Sequence, residues 1–149
     1  KEIDVVIGAI HIWSKKDDMT PRILKAMENP YVHVITHPTG RLISSREGYT
    51  VDVEEIIKKA AETGTALEID AYYDRLDLSD TNVRKAIDMG VKIAIGSDAH
   101  NIGQLWMMVL GVGVARRGWC TKADILNTLS LKDFLEYIRS SKKKLKVSR

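Results

Sequence analysis

The stretch Val91-Lys92-Ile93-Ala94-Ile95-Gly96-Ser97-Asp98-Ala99-His100 decides how the chain is read. Lys92–Ile95 is a short, mostly apolar run, and the spacing predicts a buried β-strand. An acid and a histidine follow at i and i+2, a separation that points both side chains the same way on an extended backbone. A strand that hands metal-type side chains to its C-terminal end is the arrangement on which α/β proteins build their sites.

Working outward, the same grammar recurs. Val5–Ile10 is a β-branched run and His11 follows it at once. Val32–Thr36 is another run, followed by His37. Ala66–Ile69 is a third and carries Glu68 near its end. Helical patterns lie between these runs. Thr20 offers an N-cap with Pro21 behind it, and Ile23, Leu24 and Met27 share a face until Asn29-Pro30 stops the helix. A second helix starts near Asp52, buries Ile56, Ile57 and Ala60, and ends at Gly64. A third is capped by Ser79, with Val83, Ala86 and Ile87 facing inward, and ends at Gly90. Asn101–Val109 begins another helix, with Gly111-Val112-Gly113 beyond it as a flexible segment. Thr121 and Ser130 read as N-caps, the latter opening a C-terminal helix with Leu131, Phe134, Leu135 and Ile138 inside. This β-α-β-α-β-α-β-α order predicts an α/β fold with a parallel sheet and right-handed crossovers. Runs apolar throughout, rather than alternating, predict strands covered on both faces.

Composition sets the limits. At 149 residues, 44% hydrophobic and 29% charged, the chain is of single-domain size with enough apolar content for one core. The expected organisation is a domain over residues 1–140 and a basic tail over 141–149, where Lys142, Lys143, Lys144, Lys146 and Arg149 crowd together as a solvated end or a phosphate-contacting arm. The sequence shows no leader and no apolar run of roughly eighteen residues, and Cys120 is its single cysteine. A cytoplasmic, reducing setting without membrane contact is the expectation. A net charge of +3 is a mild lean toward anionic partners. The chain opens almost directly on a strand, as if the fold were entered halfway.

Four successive strands thus deliver His11, His37, Glu68, and Asp98 with His100 to one end of the sheet. Imidazoles and carboxylates together suit zinc, iron or manganese. Such a centre polarises a phosphoryl oxygen and lowers the pKa of bound water from about 15.7 toward 7. Glu68 has competing readings, as a helix cap or a partner for Arg75. His33 begins its strand instead of ending it, so it is expected at the opposite end in a structural role. In the turn His37-Pro38-Thr39-Gly40-Arg41, Arg41 is placed to offer a planar fork to phosphate. Arg116, Arg117 and Trp119 combine cations with an aromatic ring, a set suited to a single-stranded nucleic-acid end. The competing reading packs Trp119 in the core and leaves the arginines to solvent.

The chain resembles the C-terminal half of the PHP (polymerase and histidinol phosphatase) domain attached to bacterial and archaeal family X DNA polymerases. The resemblance is carried by Ala9-Ile10-His11, His37-Pro38-Thr39-Gly40-Arg41, Glu68-Ile69-Asp70, Asp74-Arg75-Leu76-Asp77-Leu78, Ser97-Asp98-Ala99-His100, Gly113-Val114-Ala115-Arg116-Arg117-Gly118-Trp119 and Leu126-Asn127-Thr128. It implies part of a distorted (βα)7 barrel with up to three metal ions, manganese or zinc. His11, His37, Asp98 and His100 would be ligands and Glu68 a further motif position. Asp98, His100, His37 and Arg41 would carry the catalysis. It also implies 3′–5′ exonuclease, 3′-phosphodiesterase or abasic-site endonuclease work on DNA in repair, with Arg41, Arg116, Arg117 and Trp119 toward the DNA. A non-catalytic metal-binding or DNA-positioning module, and a small-molecule phosphatase of the histidinol-phosphate kind, are the alternatives. Three departures from the family pattern stand out. The first half of the domain, with its His-x-His and further ligands, is missing. So is the polymerase domain. Asp70 and Tyr72-Tyr73 replace a common Asn and a different continuation.

Overall fold

The computed structural model describes residues 3–12, 17–45 and 47–142. Four parallel strands, β1 (Ile7–Gly8), β2 (Val34–Ile35), β3 (Ala66–Asp70) and β4 (Ile93–Gly96), lie side by side in chain order. Helices α1 (Thr20–Met27), α2 (Val53–Thr63) and α3 (Asp80–Asp88) make the three crossovers. Ile35 sits opposite Leu67, Leu67 opposite Ile93, and Asp70 opposite Gly96. The molecule is an α/β protein of alternating parallel strands and helices, the arrangement of a partial (βα) barrel. No helix of the described residues is long and apolar enough to cross a membrane.

The period of two along the strands sorts side chains between two layers. Ile35, Leu67, Ile69, Ile93 and Ile95 pack with Ile23, Met27, Ile56, Ile57, Val83 and Ala86 from the crossover helices. Val34, Ala66 and Ala94 face the other way, toward Leu126, Leu129, Phe134 and Tyr137 from the C-terminal region. Glu68 and Gly96 share that second side, where they line a cavity of about 470 Å³ together with Val5, Ile7 and Phe134. The barrel-facing side therefore carries the acids and the helix-facing side the large aliphatics.

Local chemistry explains most element boundaries. Asp52 and Ser79 cap α2 and α3, accepting from the Glu55 and Asn82 amides. Ser130 caps α5 (Leu131–Ser141), accepting from the Asp133 amide at 3.2 Å. Thr20 differs from expectation. It is the first residue of α1, the cap position falls on Met19, and Asp18 Oδ1 accepts from the Thr20 amide at 2.9 Å. The Thr20 hydroxyl instead accepts from the Asp52 amide at 2.8 Å and ties the start of α1 to that of α2. Thr121 opens a turn closed by Asp124, not a helix. The chain then returns alongside β4, where Asn127 Oδ1 accepts from the Ile95 amide and its Nδ2 donates to the Ile95 carbonyl, at 2.8 and 2.9 Å.

Two expectations are corrected in the C-terminal third. The segment from Ile102 is a 3₁₀ turn to Met107 that continues as α4 (Met108–Arg117), so Gly111 and Gly113 are helical, not a flexible link. A Cβ on Gly111 would stand 2.6 Å from Ile95 Cγ2 and 2.7 Å from Ala71 Cβ, so the glycine lets α4 lie directly on the ends of β3 and β4. Lys142, expected among solvated tail lysines, has no exposed surface. Its ammonium donates to the Met27 carbonyl at 3.0 Å and to the Thr65 hydroxyl. The remaining tail cations, Lys143, Lys144, Lys146 and Arg149, lie outside the described residues.

Two predictions follow from this packing. Gly111→Ala should destabilise the fold by about 1–3 kcal/mol through overpacking. Gly113→Ala, whose Cβ meets nothing within 4 Å, should stabilise it by up to about 1 kcal/mol. Urea denaturation of the two variants checks the contrast. For Lys142, burial pushes the amine down from 10.5 to about 8. Between those values the unfolded chain holds more protons than the folded one, so this residue's contribution rises with pH there and its full cost is present below about 8. Lys142→Met should therefore lose ground to the parent as pH climbs from 8 to 10.5, by up to about 3 kcal/mol. A stability difference independent of pH would contradict the burial of a charged amine.

Candidate metal and phosphate site

The C-terminal ends of the four strands set the site. His37 lies two residues past β2 with φ 32°, in a turn fixed from several directions. The Gly40 amide donates to the His37 carbonyl at 3.0 Å, and the Tyr49 hydroxyl donates to the same oxygen at 3.3 Å. Asp77 Oδ2 accepts from the Thr39 and Gly40 amides, both at 2.9 Å. Gly40 holds φ 63°, and a Cβ there would stand 2.3 Å from the Tyr49 ring, so the tight turn expected from Pro38 and Gly40 is present.

Glu68 anchors the strand side of this turn. Its Oε2 accepts from the His37 amide at 3.0 Å and from the Thr36 hydroxyl. On the β4 side only glycine leaves it room, since a Cβ on Gly96 would stand 2.3 Å from Glu68 Oε1. The alternatives raised for Glu68 from sequence, a helix cap or an Arg75 partner, are not what it does here. Its bonds go to β2.

The His37 ring is buried and its Nδ1 has no hydrogen-bond partner. Burial is the main force holding this imidazole below its ordinary pKa, and the Arg75 charge adds to it. A neutral ring with an unsatisfied buried nitrogen is a metal ligand's starting state. The exposed His11 ring meets it edge-on with centroids 5.4 Å apart.

Past β4, Asp98 takes φ 48°, and the His100 Nδ1 lies 2.7 Å from the Asp98 carbonyl oxygen. A carbonyl can only accept, so Nδ1 is the donor here and Nε2 is the ring nitrogen left for another partner. The His100 amide donates to Gln104 Oε1 at 2.7 Å, and Gln104 Nε2 donates to the Tyr72 hydroxyl at 3.0 Å. The Tyr72 ring stands edge-on to His100, centroids 6.1 Å apart.

Acids outnumber cations between these two halves. Asp70, the last residue of β3, is fully buried, and burial pushes its carboxyl up to about 7, with the Glu68 and Asp98 charges adding to the rise. Burial likewise raises Glu68 and Asp77. Arg75 sits among them, with Nε 3.3 Å from Asp70 Oδ2 and 3.7 Å from Asp98 Oδ2. The donor set, a neutral orphaned imidazole, a tautomer-fixed imidazole and surplus carboxylate, fits a divalent cation. Yet among the described residues no group of three histidines or acids is close enough to hold one ion. The His11 and His37 rings touch edge-on, while His100 bonds the Asp98 backbone and the Asp98 carboxylate faces Arg75.

The other expected residues fall elsewhere. Arg41 gives Nε to the Arg75 carbonyl at 2.8 Å and Nη2 to the Leu76 carbonyl, so two of its donors bind the neighbouring loop. Arg116 and Arg117 end α4, where Arg117 pairs with Asp80 at 2.7 Å. Trp119 is 74% exposed at φ 65°, with the Arg84 guanidinium 5.5 Å from its ring centroid, which excludes the core-packing alternative. Arg117 and Trp119 meet α3, through Asp80 and Arg84. His33 is buried before β2 begins, and its Nδ1 accepts from the Val6 amide at 3.2 Å. Sequence reading placed none of Asp70, Arg75 and Asp77 in the site, and offered Arg75 only as a partner for Glu68. Asp70 carried a usable signal, since it follows Glu68 by two on a strand and so faces the same side.

No family model matches the chain. Comparison with curated proteins finds relatives. The DNA polymerase/3′-5′ exonuclease PolX of Bacillus subtilis is 41% identical over 140 residues, 93% of this chain and 25% of that protein. A probable phosphatase of Thermoanaerobacter sp. is 31% identical over 156 aligned positions, 97% of this chain and 61% of the relative. A probable phosphatase of Caldicellulosiruptor bescii is 34% identical over 110 positions, 67% of this chain and 43% of the relative. The chain thus spans about a quarter of the first and three-fifths of the second. Taken with the alternating parallel fold and the residues gathered at its strand ends, these likenesses show that the chain belongs to the PHP family and corresponds to the C-terminal half of the PHP domain of family X DNA polymerases.

Proposed function

We propose that this chain supplies part of a divalent-metal-dependent phosphoesterase site. The observation that carries the reading is the buried, unpartnered His37 imidazole, beside His11 and within the electrostatic reach of Asp98. His11, His37, Asp98 and His100 would hold manganese or zinc, with Glu68 fixing His37 through its amide. A bound divalent ion supplies charge for a phosphoryl oxygen and a hydroxide nucleophile near neutral pH. The chain's own contribution is to keep His37 neutral by burial and to fix the His100 tautomer through the Asp98 carbonyl. Since no three of these side chains close on one point among the described residues, a narrower reading is that metal binds but turnover needs ligands from outside them.

The substrate class we favour is the 3′ end of DNA, processed by exonuclease, 3′-phosphodiesterase or abasic-site endonuclease chemistry. The named activity of the Bacillus relative supports this. So does the exposed Trp119 with the Arg84 guanidinium beside its ring and Arg116 and Arg117 just before it in sequence, a surface suited to stacking. The probable phosphatases among the relatives support a small phosphate monoester instead.

The expected outcome is Mn²⁺-stimulated release of nucleotide or phosphate from a 3′-phosphorylated oligonucleotide. Asp98→Ala with His100→Ala should reduce it at least about a hundredfold and lower metal content. His33→Gln should leave metal content unchanged. Full activity in the double variant would remove the assignment, and metal uptake without turnover would select the non-catalytic module. Competition between the oligonucleotide and a small phosphate monoester decides between the two substrate classes.

A further inference from the structure

We propose that Arg75 is the phosphate-binding residue of this site and that Arg41 is the residue that positions it. The inference deepens the phosphoesterase reading and rests on it, since it names which side chain meets the substrate's phosphoryl oxygens.

Arg75 lies in the loop between β3 and α3, with only 18% of its side chain exposed. Its contacts with Asp70 at 3.3 Å and Asp98 at 3.7 Å are ion pairs, and among the described residues its guanidinium makes no hydrogen bond. A desolvated guanidinium with uncommitted donors is poised for a planar, two-oxygen acceptor. Its charge is felt at His37 as well as at Asp70 and Asp98, so the guanidinium stands near the ends of β2, β3 and β4 together.

Both supports of Arg75 are built in. Asp70 is fully buried, and its Oδ1 accepts from the Tyr72 amide at 2.8 Å. That bond turns Oδ2, which has no hydrogen-bond partner, toward Arg75. Arg41 holds the backbone, because its Nε and Nη2 bind the Arg75 and Leu76 carbonyls. An arginine with those donors committed cannot offer the same edge to phosphate. The expected phosphate fork therefore moves from Arg41 to Arg75. A cation at Asp98 would compete with Arg75 for that carboxylate and leave Asp70 as the anchor of the guanidinium.

The test is a titration of the metal-free chain with inorganic phosphate, followed by calorimetry. Asp98→Asn removes the competing carboxylate and should bind phosphate several-fold more tightly than the parent. Arg75→Gln in the Asp98→Asn background should bind it at least about tenfold more weakly than Asp98→Asn alone. Arg75→Lys keeps the charge without the fork, so it should fall between, and it carries the test if the glutamine variant does not fold. Equal phosphate affinity with and without Arg75, or no phosphate binding by Asp98→Asn, would overturn the proposal. Arg75-dependent phosphate binding in a chain that takes up Mn²⁺ but shows no turnover would sustain Arg75 and select the non-catalytic module over turnover by this chain.

Discussion

The constraint on which the rest depends is the burial of carboxylates at the open end of a parallel sheet. Glu68, Asp70 and Asp77 are all buried, and an uncompensated buried carboxylate costs several kcal/mol. The surrounding loops are shaped to offset that cost. Glu68 receives the His37 amide and the Thr36 hydroxyl. Asp77 receives two amides of the His37 turn. Asp70 receives the Tyr72 amide and the Arg75 guanidinium. Each bond that satisfies an acid also fixes a loop, so the geometry of the site is a by-product of solvating its charges from within.

That economy explains why the site is electrostatically unfinished. Arg75 faces both Asp70 and Asp98, while Glu68 has neutral donors only. Burial raises Glu68, Asp70 and Asp77 toward the neutral form, and added positive charge would oppose that shift. A divalent cation would restore the ionised forms.

Much of the fold was legible because its signals are local. Apolar runs marked the strands, and Asp52, Ser79 and Ser130 marked three helix starts. The strand-end positions of His11, His37, Asp98 and His100 followed from the same periodicity. What was not legible acts across distance. Asp77 serves amides 37 and 38 residues away, and no spacing rule contains that pairing. Gly111 and Gly113 read as a link because glycine disfavours helices, whereas α4 needs Gly111 to touch the sheet. Trp119 left an exposed and a core reading open, and its left-handed backbone and 74% exposure decide for the first. Lys142 reads as tail, yet the space between Met27 and Thr65 takes it in.

The most direct test of the account is anomalous diffraction from crystals of this chain grown with Mn²⁺. The account predicts a peak within coordination reach of the His37 ring, with His11, Asp98 or His100 turned toward it. Crystals with the metal bound only at surface acids away from His37, or with none bound at all, would contradict it.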